Sequence, residues 1–242
     1  MEKEEVRYTK NGVPVYTYRN PHQHGFYLSL FVRAGSMYES AENAGITHFL
    51  EHIAIRNVNA ITGGNLYAEL DRRGLEFNAS TYTEMIQFYI SGSDRYFCEA
   101  SDFLTRLLSP IVLSAREIAT ERRRIKAEIR ESDDKNSLAA FTANLLYGGT
   151  PLAGPIVGTN KSVDRISVTR LEAYRRSVFT KDNMFFYVTG NFTEEDLLAL
   201  VENADRFPLE ETAAFHENMA PVSDSFGKRG GKVVVKNADF TM

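Results

Sequence analysis

A single cysteine, Cys98, stands in the 242 residues of the chain. A lone thiol cannot close an internal disulfide, so no covalent staple is expected to hold the fold. Its setting, Arg95-Tyr96-Phe97-Cys98-Glu99-Ala100, reads as a packed helix position and carries no signature of a nucleophilic thiol. Long apolar runs are also missing; none approaches the length that spans a bilayer, so no membrane segment is expected. The amino terminus, Met1-Glu2-Lys3-Glu4-Glu5, is acidic and lacks the apolar stretch of a secretory signal. A cytoplasmic location is the resulting expectation. Extended basic runs are absent as well. Net charge is −4, the isoelectric point is near 5.8, and Arg122-Arg123-Arg124 falls inside a helical pattern, where it reads as a solvated face. Nucleic acid is therefore not an expected partner.

What is present is a composition of 43% hydrophobic and 25% charged residues, which describes an ordinary globular chain long enough to bury a core. Its most informative stretch is Gly45-Ile46-Thr47-His48-Phe49-Leu50-Glu51-His52-Ile53. On a helix, His48, Glu51 and His52 lie at i, i+3 and i+4 and project from one face. This is the H-x-x-E-H order, in which two imidazoles suit Zn²⁺ and the carboxylate can take a proton from water. Two histidines and a glutamate can reach this spacing by chance in a chain with five histidines, so a third ligand is needed. His22 and His24 offer a His-x-His, but Asn20-Pro21-His22-Gln23-His24-Gly25 is more simply a turn.

Around this helix the chain alternates strand and helix signals. Val13 to Tyr18 reads as a strand of the edge type because it contains Pro14, and Phe26 to Val32 as an inner strand. Thr62-Gly63-Gly64-Asn65 breaks the chain before a short helix from Leu66 that ends ahead of Gly74. Leu75 to Thr81 and Met85 to Ser91 follow as strands, then Asp94 to Leu108 as an amphipathic helix closed by Ser109-Pro110. Ser114-Ala115-Arg116-Glu117 is a capping box for a helix reaching about Glu131. On that helix Ile118, Ile125 and Ile129 share a stripe with Glu121 and Glu128. A carboxylate on a core-facing stripe is costly unless it pairs with an arginine or holds a cation. Both options stay open on the residues alone.

His48-Phe49-Leu50-Glu51-His52, followed by Glu121-Arg-Arg-Arg-Ile-Lys-Ala-Glu128, resembles the zinc signature of the pitrilysin family, which includes insulin-degrading enzyme and the mitochondrial processing peptidase. Glu128 follows His52 by 76 positions and Glu121 precedes Glu128 by seven, offsets that suit that family. Gly74-Leu75-Glu76-Phe77-Asn78-Ala79-Ser80-Thr81 resembles the family's edge strand, to which a peptide adds by β-augmentation. Gly158-Thr159, Val163 to Phe179, Lys181 to Met184 and Gly190-Asn191-Phe192 resemble the rest of the same domain, with helices capped at Thr169 and Thr193. The residues after His52, Ile-Ala-Ile-Arg-Asn-Val, depart from the family's usual continuation.

The resemblance implies an α+β domain: a mixed, mostly antiparallel sheet with helices mainly on one face. It implies a zinc peptidase in which His48, His52 and Glu128 are ligands and Glu51 is the general base. Glu121 supports the site from behind, and Asn78 and Ala79 receive an extended peptide. Active members are built from two homologous halves. Residues 1–206 are expected to form one of them, 207–231 a linker, and 232–242 the first strand of a second half that is either truncated or supplied by a partner chain in a homo- or heterodimer. A non-catalytic subunit, with a structural metal or none, is the alternative the resemblance also permits.

Overall fold

The computed structural model describes residues 4–131 and 138–209. Its strands are β1 (Glu4–Tyr8), β2 (Pro14–Arg19), β3 (Gly25–Val32), β4 (Glu76–Thr81), β5 (Ile86–Ser93) and β6 (Met184–Gly190). The helices are α1 (Ile46–Ile61), α2 (Leu66–Arg73), α3 (Phe97–Thr105), α4 (Ala115–Glu131), α5 (Leu138–Tyr147), α6 (Asn160–Arg165), α7 (Val168–Val178) and α8 (Glu194–Asp205). The six strands form one sheet in the order β1-β2-β6-β3-β5-β4. Only β2 and β6 run parallel; the other pairs are antiparallel. The α+β expectation and the mostly antiparallel sheet are both met.

Strand alternation decides which face is covered. Val15, Phe186, Leu30, Phe88 and Ala79 lie side by side across five strands. Leu28, Val188 and Ile90 form the next row, and all but Ala79 of these are buried. The helices pack there. The opposite face carries Tyr16, Tyr27, Phe31, Tyr89 and Phe185, stacked or edge-on in pairs and only partly covered. No described helix is long and apolar enough to cross a membrane.

α1 packs on the sheet through Ile46, Phe49, Leu50, Ile53, Ala54 and Val58, the i, i+3, i+4 series that its sequence spells out. His48, Glu51 and His52 consequently lie on the opposite side. Near the C-terminal end of α1, buried Asn57 donates to the Ser109 hydroxyl at 3.2 Å and to the Pro110 carbonyl at 2.9 Å, and accepts from the Val112 amide at 2.8 Å. From α7, Glu172 accepts from the Ile111 amide and Arg175 donates to the Leu108 carbonyl. One polar staple thus holds the loop that delivers α4, and so sets α4 against α1. Asn57→Ala removes the partner of the part-buried Pro110 carbonyl and Val112 amide. It should lower stability by about 2–3 kcal/mol, read as a reduced urea midpoint at unchanged slope.

Several expectations change here. β2 is not an edge: β1 covers it, and Pro14 is tolerated as the first residue of the strand, opposite Tyr8. Cys98 lies on α3 as expected, but on its exposed side, where its thiol faces the Asp196 carboxylate. α7 is capped by Ser167, whose side chain accepts from the Arg170 amide, and not by Thr169, which lies one residue inside the helix. Arg122 is no solvated charge. It donates to the Ile166 carbonyl and lies 5.6 Å over the Phe49 ring. The capping boxes at Ser114 and Thr193 form as read. The expected linker, beyond Leu209, and the strand from 232 lie outside the described residues.

Candidate metal centre

α1 begins at a tight approach between two backbones. Gly45 has φ +87°, and a Cβ there would stand 2.6 Å from the Val157 carbonyl oxygen; at Gly158 it would stand 2.4 Å from the Ala44 carbonyl oxygen. Glycine at both positions lets the first turn of the helix press against the 155–158 loop. The Glu39 carboxylate crosses that turn, accepting from the Gly45 amide at 2.6 Å and the Thr47 amide at 2.9 Å. The Thr47 and Tyr174 hydroxyls are 2.7 Å apart, tying the same turn to α7.

One turn further on, the two imidazoles converge. Their ring centroids are 4.6 Å apart, and both Nε2 atoms face one oxygen of Glu128, at 3.1 Å from His48 and 3.6 Å from His52. His48, His52 and Glu128 each offer a donor atom within 4.8 Å of the others; among the described residues they are the one such group. Two imidazoles and a carboxylate at this separation suit a zinc ion. His22 and His24 form no such group; an Asn20 side chain accepting from the His22 amide at 3.1 Å marks the turn expected there.

The groups behind the trio fix it. His48 Nδ1 faces Glu51 Oε2 and His52 Nδ1 faces Glu121 Oε2, both at 3.8 Å. Each imidazole therefore has a carboxylate beyond its outer nitrogen, the arrangement that leaves Nε2 as the donor. Glu121 is almost fully buried, and Arg56 at 3.2 Å and Arg124 at 3.0 Å balance its charge. Burial pushes the Glu121 carboxyl upward, but His52 and the two arginines outweigh it and hold it below the usual carboxylate range. Glu51 behaves alike: burial raises it, while hydrogen bonds from His48 and the Thr81 hydroxyl bring it below its ordinary value. Burial lowers the His48 imidazole, yet contacts with Glu51 and Glu128 leave it raised overall.

Glu128 differs from the core-facing reading of its stripe. Its side chain is 44% exposed, against 3% for Glu121, because it lies beyond Ile125, the last fully buried residue of α4. The site opens on that side. β4, an edge of the sheet, lies on the Glu51 side through Thr81. Asn78 is exposed there, and its side-chain oxygen accepts from the Ala79 amide at 2.8 Å, so that amide already carries an internal partner. Thr81, Glu39 and Arg56 were not among the expected site residues. Arg56 stands at i+4 from His52 and was legible by spacing; Glu39 approaches through a loop and left no periodic signal.

Comparison with known proteins bears on the family of the chain. The family model described as insulinase, peptidase family M16, matches residues 14–160, more than half of the chain. The chain belongs to the M16 family. A second M16 model, described as the inactive domain, matches residues 165–235. The chain is 28% identical over 195 residues to an uncharacterized zinc protease of Rickettsia felis, covering 80% of this chain and 47% of the relative. It is 26% identical over 191 residues to the uncharacterized zinc protease YmxG of Bacillus subtilis, covering 78% and 47%. The solved first half of the periplasmic protease PqqL from Escherichia coli superposes with a TM-score of 0.76 at 20% identity, covering 87% of this chain and 47% of that one. This M16 chain thus spans about half the length of the relatives it matches.

Proposed function

We propose that the chain is the metal-binding half of a zinc endopeptidase acting on peptides or extended, unfolded segments. The observation that carries this reading is the convergence of His48, His52 and Glu128 within 4.8 Å, with Glu51 alongside. His48, His52 and Glu128 hold Zn²⁺. When bound, zinc polarises the scissile carbonyl and lowers the pKa of the attacking water. Glu51, kept ionised and oriented by Thr81, takes the proton of that water and returns it to the leaving amine. Glu121 keeps His52 oriented through Nδ1. An extended peptide pairs along β4 at Asn78 and Ala79, displacing the Asn78 side chain from the Ala79 amide. A second homologous half, covalent or supplied by a partner chain, closes the site.

A non-catalytic subunit is the competing reading, favoured by the match of residues 165–235 to an inactive-domain model. Glu51 weighs against it: beyond orienting His48, it is a largely covered carboxylate held below its ordinary pKa beside the trio, which suits a proton acceptor. Elemental analysis of the isolated chain, together with a peptide-cleavage assay, tests the proposal. One zinc per chain is expected. Glu128→Gln, which removes the anionic ligand, should weaken zinc binding by about 10- to 100-fold or more. Undiminished zinc in that variant would rule out the ligand set.

A further inference from the structure

We infer that Glu39 is a positioning residue for the metal centre: its buried carboxylate occupies the N-terminus of α1 and turns a helix end that opposes a cation into one that accepts it. This rests on the zinc reading above. His48 and His52 are the third and seventh residues of α1, so a dication held between their imidazoles lies beside the first two turns of the helix, near its N-terminal end. The N-terminus of a helix carries about half a positive charge and favours anions. A zinc site built there works against that field unless something neutralises it.

Glu39 is placed to do so. It is 8% exposed, and its two oxygens accept separately from the Gly45 and Thr47 amides, at 2.6 and 2.9 Å. The carboxylate thus replaces the missing carbonyl partners of the helix start and, ionised, brings negative charge to the same point. The turn cannot drift away from that charge. Gly45 is pinned against the Val157 carbonyl, and Thr47 is pinned through its hydroxyl to Tyr174. A simple N-cap of the Ser or Thr kind, as at Thr159, satisfies amides without adding charge. Here the chain uses a carboxylate brought in from a separate loop, a costlier device in the interior, where burial pushes its carboxyl upward.

The test separates charge from scaffold by measuring zinc affinity, with a chromophoric chelator as competitor, and thermal midpoint on the full chain. Glu39→Gln keeps the size and one acceptor oxygen but removes the charge; its zinc Kd should rise about 10-fold. Thr193→Ala, a lost cap on the distant α8, should lower the thermal midpoint comparably and leave zinc Kd unchanged. Glu39→Asp keeps the charge and should stay within about 3-fold of wild type, which decides the matter if the glutamine variant does not fold. Unchanged zinc affinity in folded Glu39→Gln, a rise in Thr193→Ala equal to it, or a 10-fold loss in folded Glu39→Asp would each overturn the inference. Wild-type zinc bound without His48, His52 and Glu128, or no zinc at all, would overturn the site reading together with it. Zinc held by those three residues with no response to Glu39→Gln would remove this inference alone.

Discussion

Glu51→Gln is expected to retain its zinc and to lose peptide hydrolysis by about 10²–10⁴-fold. The substitution is nearly isosteric. A glutamine oxygen can still accept from the Thr81 hydroxyl, so the strand and the helix should keep their contact. What disappears is the proton acceptor. In the folded chain Glu51 is held below its ordinary pKa, because His48 and Thr81 outweigh its burial, and so it is an anion at neutral pH. A side-chain amide at that position neither accepts a proton from water nor returns one to a leaving amine. Metal content by elemental analysis and turnover of a fluorogenic peptide, in the assembly where the wild type is active, give the two readouts. If the variant cleaves at the wild-type rate, the base is another group. If it loses its zinc, Glu51 is a ligand and the division of labour among the four residues is wrong.

The parts of this fold that follow a period could be read from the chain. α1 announces itself through Ile46, Phe49, Leu50, Ile53 and Ala54, and the same period fixes which side His48, Glu51 and His52 occupy. β3 could be read as an inner strand from its continuous β-rich run, which is apolar on both faces, and β5 alternates buried and half-buried residues. Glu121 was legible as a carboxylate out of place on an apolar stripe, and the structure finds it almost fully buried between two arginines. Other features depend on neighbours far away in sequence. β1 is a short, charged edge, Glu-Glu-Val-Arg-Tyr, with no apolar alternation of its own; pairing with β2 makes it a strand, and this hid the fact that β2 is an inner one. Arg122 looked like one of three solvated arginines until Phe49 and the Ile166 carbonyl came to lie against it. Glu39 and Thr81 reach the site from a loop and a strand end, where no spacing rule connects them to α1. Their roles exist only in three dimensions.

Completing the site with a second homologous half should raise peptide turnover by on the order of 10²-fold over that of the 242-residue chain alone. The chain spans about half the length of the relatives it matches, and among the described residues its candidate site is open: Glu128 is 44% exposed and β4 is a sheet edge. A peptide laid along that edge gains main-chain hydrogen bonds worth roughly 0.5–1.5 kcal/mol each. Ordering a flexible chain consumes that gain, and here the Asn78 side chain must also be displaced from the Ala79 amide. Without walls on the far side, the scissile bond is not held against Glu51 and water is not excluded. A closing half supplies contacts that fix the peptide's register, and it lowers the local dielectric, so that every charge at the site acts more strongly on the reacting carbonyl. The exposed β4 edge has a second consequence. Backbone groups on that edge without a strand partner among the described residues can template another strand, so the isolated chain should tend to self-associate at high concentration. Cleavage should be assayed for the 242-residue chain and for the chain joined or mixed with a second half, with mass in solution measured in parallel. The expected result is low turnover alone and a large gain on completion. Robust turnover by a strict monomer of this chain would show that β4, the metal ligands and Glu51 form a sufficient catalyst, and that the second half has another purpose.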